Sequence, residues 1–504
     1  MDDAADDTLG RLAKERFGLD YLFPLQRLVM ANVLDACLSG DASDSGGFRQ
    51  AAILPTGFGK SLCFQLPALL LPGPTIAVFP LLALMEDQRR RLAELGIGAA
   101  VFRGGMDEAD RREAEASLRS GKAKIAITNP ECLRGRLLDF LASLKPSHVA
   151  IDEAHCVSEW GNSFRPAYLE LGKAVERLDP PVTTAFTATA SPAVLESFSR
   201  ILFQGRPCTL VQADPDRPNI HYAVSRTLAR ERTLERLLME LAKPAIVFCT
   251  SRDGVQILAE RLRMRLGTEE LRFYHAGLEA VEKRAIEEWF LGSKDGILVS
   301  TCAFGMGMDK RDVRTVIHYD PPPSIEAYLQ ESGRAGRDGK PSRAVLLSVP
   351  GTSPKANAAN RDREQALLDY GASEGRCRRE ALLSLLGTKP EGPCSGCDVC
   401  DGNAPGQAEG ASAIGLLLRM NRRRFTREEA LRLLQGKAGE PPTCAGAGGL
   451  RGWREEDAGA AMSAAIKSGM AMERKKGLWK GRLAEEKAWR KEECGPPTAI
   501  PRSR

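Results

Sequence analysis

Short apolar runs recur along the chain, separated by helix-length segments in which polar and apolar residues mix. Ala51–Leu54, Thr75–Phe79, Ile125–Thr128, His148–Ile151 and Thr183–Phe186 form a first series of strand-like runs. This alternation predicts an α/β fold, a parallel sheet with helices on both faces. The series then repeats as Ala245–Cys249, Leu271–Tyr274, Ile297–Ser300, Thr315–His318 and Ala344–Ser348, so two similar lobes are expected, joined near Asp214-Pro215-Asp216-Arg217-Pro218. Ser353–Gly387 reads as helical. Gly402–Ser412 reads as a linker, and a last small domain precedes the Pro-rich tail Gly495–Arg504. Expected domains are 1–211, 212–350, 351–402 and 412–490, with a disordered tail at 491–504.

At 504 residues the chain exceeds one ordinary core, which agrees with about three or four domains. A hydrophobic fraction of 43% and a charged fraction of 27% describe a soluble globular protein. The net charge of +5 is unevenly placed: from Asp401 onward 20 Lys and Arg face 13 Asp and Glu. That bias is compatible with nucleic acid and equally with a solvated lysine face. No apolar run is long enough to span a bilayer. The acidic start Met1-Asp2-Asp3 is wrong for a signal peptide, so a cytoplasmic protein with reduced thiols is expected. Of 13 cysteines, Cys37, Cys63, Cys132, Cys156, Cys208, Cys249 and Cys302 stand singly and are expected to be small buried hydrophobes. Cys444 and Cys494 are isolated too, and four are clustered.

The stretch Pro55-Thr56-Gly57-Phe58-Gly59-Lys60-Ser61 lies between an apolar run and the helix-like Leu62–Leu71. Strand, glycine loop, Lys-Ser and helix in that order make a phosphate-binding loop. Gly57 and Gly59 let backbone N–H groups curl around phosphate. Lys60 can reach the β- and γ-phosphates, and the Ser61 hydroxyl can ligate Mg²⁺. Downstream, Asp152 ends an apolar strand where it can hold the Mg²⁺ shell, and Glu153 is placed to polarise an attacking water.

The loop, Asp152-Glu153-Ala154-His155, Thr187-Ala188-Thr189 and the two-lobe layout resemble a superfamily-two helicase. Cys156-Val157-Ser158-Glu159-Trp160-Gly161-Asn162-Ser163-Phe164-Arg165-Pro166 resembles the aromatic-rich loop of the RecQ family of DNA helicases. Phe17-Gly18 with Pro24-Leu25-Gln26, Pro80-Leu81 through Asp87-Gln88, and Asn129-Pro130-Glu131 match as well. The resemblance covers about residues 10–402. It implies two tandem RecA-like lobes, an ATP site that includes Thr56, and Gln26 as the reader of adenine. Trp160, Phe164 and Arg165 can stack on or clamp unpaired bases. The family has a His-Asp pair where this chain has Asn162-Ser163, and a glutamine at Glu159, which bears on how strongly DNA and ATP hydrolysis are coupled.

In the second lobe Gln330-Glu331-Ser332-Gly333-Arg334-Ala335-Gly336-Arg337-Asp338-Gly339 matches the last helicase motif. Arg334 and Arg337 share one face if the segment is helical, and either can serve as arginine finger, Arg337 being favoured. Thr301 through Lys310 carries glycines that allow close approach to a phosphate backbone, with Asp309 expected to sense the nucleotide or the arginine pair. Ser251-Arg252 and Tyr274-His275-Ala276-Gly277 match the motifs that grip the DNA strand in the family.

Cys377, Cys394, Cys397 and Cys400 have the spacing C-x₁₆-C-x₂-C-x₂-C. Four such thiolates suit tetrahedral Zn²⁺ or an iron–sulfur cluster. The resemblance points to one structural zinc. Near the carboxy terminus a helix is expected from Phe425, with Thr426 and Glu429 as a capping box, and another over Trp453–Lys467. Ala471–Arg474 and Leu478–Arg482 read as a basic hairpin, so the domain resembles a winged helix. Its Trp479 is either a strand-separating wedge or a hydrophobic anchor.

The favoured function is an ATP- and Mg²⁺-dependent helicase acting on single-stranded and forked or partial-duplex DNA. By resemblance it moves 3′-to-5′ and serves repair or recombination. No membrane role is expected, and no protein partner is identified. The rivals are a translocase or annealing factor that unwinds weakly, and a DNA-binding scaffold with a decayed ATPase.

Overall fold

The computed structural model describes residues 7–38, 47–55, 57–160, 166–302, 304, 310–354, 361–390, 392–404, 406–437, 444–476 and 478–485, without the side chains of 159 and 160. Among these the chain forms two compact units. One runs to Arg217 and takes in Leu383–Lys389; the other begins at Pro218.

The first unit holds β1 (Phe48–Ile53), β2 (Thr75–Val78), β3 (Ala99–Val101), β4 (Ile125–Thr128), β5 (His148–Ile151), β6 (Val182–Thr187) and β7 (Thr209–Gln212). They lie in the order β3-β4-β2-β5-β6-β1-β7, every pair parallel. Successive strand residues feed opposite cores. Ala51, Ile53, Ile76, Val78, Val149 and Ile151 pack into one apolar cluster, while Ala52, Leu54, Ala77, Ile127, Ala150 and Phe186 pack into another. Burial on both faces is why these strands read as unbroken apolar runs.

The second unit holds β8 (Ile220–Arg226), β9 (Ala245–Phe248), β10 (Leu271–Tyr274), β11 (Ile297–Ser300), β12 (Thr315–His318) and β13 (Ser342–Ser348), in the order β10-β11-β9-β12-β13-β8 and again parallel. Two RecA-like parallel-sheet lobes are therefore present. The helices Arg361–Ala372 and Arg378–Leu385 follow, then the helices Ala411–Met420, Arg427–Gln435 and Glu455–Lys467 and the antiparallel pair β14 (Ala471–Glu473) and β15 (Leu483–Glu485). Thr426 and Glu429 form the expected capping box. No helix among the described residues is long and apolar enough to cross a membrane.

Several expectations need correction. The boundary at 211 cuts β7; Ala213 N donates to Ile53 O at 2.9 Å, so the first sheet reaches further and its unit ends at Arg217. The helix after the phosphate loop stops at Ala68 rather than Leu71: Leu69 N and Leu70 N donate to Leu66 O and Pro67 O, three residues back, so the last turn tightens. Gly402–Ser412 is not a free linker: Glu409 N donates to Arg226 O at 2.9 Å, Leu228 N donates to Glu409 O at 3.1 Å, and Ala408 and Ala411 are buried with Leu228 and Ile414. The second hairpin strand is Leu483–Glu485, because Leu483 and Ala484 can be buried while Leu478 is 98% and Trp479 48% exposed in the connecting turn. Trp479 is thus no buried anchor. Cys208 and Cys302 are exposed and Cys37 and Cys132 half-buried, the first two because they sit outside the strands they adjoin.

Candidate functional site

The phosphate loop leaves β1 at its carboxyl end and runs into the helix Leu62–Ala68. Gly57 and Gly59 take φ of +85° and +78°, a region open to glycine and costly to other residues. Lys60 Nζ lies 3.4 Å from Leu54 O, and Ser61 Oγ accepts from Gln88 Nε2 at 3.2 Å. Gln88 is held in turn by Gln65, whose Nε2 donates to Gln88 Oε1 at 2.7 Å. Sequence reasoning matched Gln88 to a motif without seeing that it meets the loop serine. Thr56 lies outside the described residues.

Asp152 and Glu153 follow β5, two strands from β1 in the same sheet. Asp152 is buried, and its Oδ1 accepts from Glu153 N at 2.9 Å. Burial and then the neighbouring Glu153 charge push Asp152 above the usual carboxylate range, against the pull of Lys60 and His155. Asp152, buried and with its charged form disfavoured, offers the oxygen donor that a hard divalent cation takes.

Glu153 has φ +46°, unusual for a residue with a side chain. Nothing in the sequence signals this. Its Oε2 is out of solvent and has no hydrogen-bond partner among the described residues, although His155 Nδ1 stands 3.4 Å away. The Thr187 hydroxyl donates to Thr189 O at 3.0 Å, so its oxygen is left to accept from His155 Nδ1 at 2.9 Å. The histidine proton is thereby directed to threonine, and the Glu153 oxygen keeps its lone pairs.

Gln26 is buried at the start of the helix Pro24–Leu38. Its Oε1 accepts from Phe23 N at 2.9 Å and its Nε2 donates to Phe58 O at 2.7 Å. The backbone of Trp160 ends the short helix Cys156–Trp160 directly after the acidic pair. Phe164, Arg165 and the Asn162-Ser163 departure lie outside the described residues, as does Asp309.

In the second unit Ser251 follows β9, His275 follows β10 and Thr301 follows β11, so three neighbouring strands deliver them to one sheet edge. Ser251 Oγ accepts from Gly254 N at 3.1 Å as the cap of the helix Arg252–Leu266, which leaves the Arg252 side chain exposed. His275 stacks on Phe273 with centroids 5.7 Å apart. Gly277 lies close against both: a Cβ there would lie 3.3 Å from His275 Nδ1 and 3.5 Å from Arg252 Nη1. Arg334 and Arg337 do not share a helical face. The helix Ile325–Ser332 ends before them, and Gly336 at φ +57° turns the chain so that its N donates to Val313 O at 2.8 Å. Arg334 is buried and Arg337 half-buried in those turns.

The four clustered cysteines meet. Their sulfurs lie within 4.8 Å of one another, with Cys377 and Cys397 at 3.9 Å. A tetrahedron with metal–sulfur bonds of about 2.3 Å has edges of about 3.8 Å, so the residues present fit zinc. Burial of Cys397 opposes ionisation, but N–H donors from Cys400 and Arg378 and the neighbouring thiols outweigh it and hold that thiol below its usual range. Asp398, between two of the ligands, is bound on three sides: its N donates to Tyr222 O at 3.1 Å, its Oδ2 accepts from Val224 N at 2.9 Å, and its Oδ1 accepts from Arg378 Nε at 2.9 Å. The cysteine loop is thus fastened to β8.

A glycine loop and acidic pair on one parallel sheet, a second such sheet, and a four-cysteine knuckle are the layout of the two-lobed helicase class. Residues 24–198 match the DEAD/DEAH box helicase family, 229–339 the helicase conserved C-terminal domain and 340–401 the RecQ zinc-binding domain. The ATP-dependent DNA helicase RecQ of Pasteurella multocida is 36% identical over 73% of this chain and 59% of its own length. The putative ATP-dependent DNA helicase Q1 of Caenorhabditis briggsae is 33% identical over 80% of this chain and 67% of its own. The chain belongs to the RecQ helicase family. It spans about three fifths of the length of the first of these curated relatives. The DUF1998 helicase MrfA, solved with DNA and AMPPNP, shares the fold with a TM-score of 0.55 at 22% identity, over 78% of this chain and 54% of that one.

Proposed function

We propose that the chain is an ATP-dependent DNA helicase that couples hydrolysis to 3′-to-5′ translocation and unwinding, in repair or recombination within the cytoplasm. The observation that carries this reading is the buried Oε2 of Glu153, without a hydrogen-bond partner among the described residues, beside a buried Asp152 and a glycine loop in the required conformation. In it Gly57, Gly59, Lys60, Ser61 and Thr56 cradle the phosphates of ATP. Ser61 and Asp152 would hold Mg²⁺, which supplies charge neutralisation on the phosphates when bound. Glu153 orients and deprotonates the attacking water. Gln26 faces adenine, and Asp309 senses the nucleotide. Arg334 and Arg337 stabilise charge on the transferred phosphoryl group, with Arg337 as finger.

Trp160, Phe164, Arg165, Ser251, Arg252 and His275 form the track for single-stranded DNA, and the chain would work at forks and partial duplexes. The sheet edge where Ser251, Arg252 and His275 gather supports that assignment, since glycine-rich strand ends admit a phosphate backbone. Zinc is structural, because four thiolates leave no open position. The first lobe ends at Arg217, and the second lobe, the zinc-binding segment and the winged-helix-like domain follow it. The Leu478-Trp479 tip favours a wedge over a mere anchor.

ATP turnover measured with and without single-stranded DNA tests the reading. Stimulation by DNA supports a motor. Turnover indifferent to DNA, or absent, returns the chain to a scaffold.

A further inference from the structure

The phosphate loop carries a bulky ring at its apex. Phe58 sits between Gly57 and Gly59 and stacks on Phe23, with centroids 4.9 Å apart and planes at 29°. Tyr21 meets Phe23 edge-on at 5.7 Å. Phe23 is 47% exposed, so the pair is more than buried filling. The same two residues supply the backbone groups that hold Gln26: Phe23 its N–H and Phe58 its carbonyl.

Those two bonds decide which end of the amide is oxygen. Reversing it would set Oε1 against the Phe58 carbonyl and Nε2 against the Phe23 N–H, leaving a donor facing a donor and an acceptor facing an acceptor. One lone pair on Oε1 and one N–H on Nε2 remain free, in a fixed order. Adenine offers an amine donor at N6 beside an acceptor at N7, whereas guanine offers two acceptors, O6 and N7. An amide of fixed order satisfies the first and repels the second. Gly59 makes room for this arrangement, since a Cβ there would lie 2.7 Å from Gln26 Nε2.

We propose that Phe23 and Phe58 are positioning residues for base selection: their ring stack locks the Gln26 amide and joins the base-reading segment to the phosphate loop as one unit. The inference rests on the ATPase reading above. It makes the choice of adenine over guanine depend on a ring in the phosphate loop, which itself touches no base edge.

The test compares kcat/KM for ATP and GTP in wild type, Gln26→Ala, Phe58→Gly, Phe58→Tyr and Phe23→Leu. Phe58→Gly and Phe23→Leu should each lower the ATP-over-GTP preference about tenfold, the scale of one well-formed hydrogen bond. The loss should appear mainly in the KM for ATP, and Phe58→Tyr should restore the preference. Because Phe23 is on the surface, its variant carries the test if Phe58→Gly folds poorly. If Gln26→Ala loses the preference while Phe58→Gly and Phe23→Leu keep it, the positioning role is overturned and the ATPase reading stands. If wild type hydrolyses neither nucleotide, that reading falls and this inference with it.

Discussion

His155 Nδ1 lies 2.9 Å from Thr187 Oγ1, joining the loop after β5 to the end of β6. Both residues are buried, and the bond takes up His155 Nδ1 although Glu153 Oε2 stands 3.4 Å from the same nitrogen. Thr187→Val keeps the shape and removes the acceptor. It should cost about 0.5–1.5 kcal/mol of stability, the net worth of one hydrogen bond. ATP turnover should fall further than ATP binding, because the histidine proton would then go to Glu153 Oε2. Denaturant unfolding together with turnover and nucleotide titration checks both parts; a variant with normal turnover would leave this bond structural only.

Magnesium binding should depend on pH. Asp152 is raised to about 6 by burial first and the Glu153 charge second. Its charged form is therefore the disfavoured one in the fold, and a proton competes with the cation. Above that pH the carboxylate is free to bind; as pH falls through it, apparent Mg²⁺ affinity should weaken, approaching about tenfold per unit for one competing proton. Isothermal titration across that range reads it, and a flat profile contradicts the assignment.

Purified protein should contain about one zinc per chain, the occupancy of a four-ligand site. Cys397→Ser should release the metal and loosen more than the cysteine loop, since Asp398 fastens that loop to Tyr222 and Val224 of β8. Metal analysis and hydrogen exchange over residues 220–226 measure the two effects. Iron with visible absorbance, or unaltered exchange in β8, would count against them.

Trp160→Ala should keep basal ATP hydrolysis and lose stimulation by single-stranded DNA, with affinity falling by only the roughly 1–3 kcal/mol of one stacked base. Ser163→Asp should strengthen the coupling, if a carboxylate there orients Arg165 through a charge-assisted hydrogen bond. The measurement is ATPase rate against DNA concentration; full stimulation in Trp160→Ala would shift the coupling role to the region of Phe304 and Asp309.

The central strands were legible because parallel strands covered on both faces cannot hide their apolar runs. The sheet edges were not. Ala99–Val101 is too short to stand out, Thr209–Gln212 is half exposed, and polar residues interrupt Ile220–Arg226. The phosphate loop and cysteine set were readable because spacing along the chain carries their chemistry. What spacing could not convey were contacts between distant segments: Gln88 on Ser61, His155 on Thr187, Asp398 on Val224, and Gln26 between Phe23 and Phe58. The Gly402–Ser412 segment misled for a physical reason. Its small residues looked like a flexible linker, but small residues are also what permits the close packing of Ala408 and Ala411.

Unwinding of a forked DNA duplex by the purified chain, with ATP and Mg²⁺, tests the central claim most directly. A labelled strand should be released by wild type, and Lys60→Ala should release none while still binding single-stranded DNA, because the proposed roles give the ammonium to the nucleotide phosphates and the DNA track to other residues. Strand release that persists in Lys60→Ala, or none by a wild type that hydrolyses ATP in response to DNA, would contradict an ATP-driven helicase.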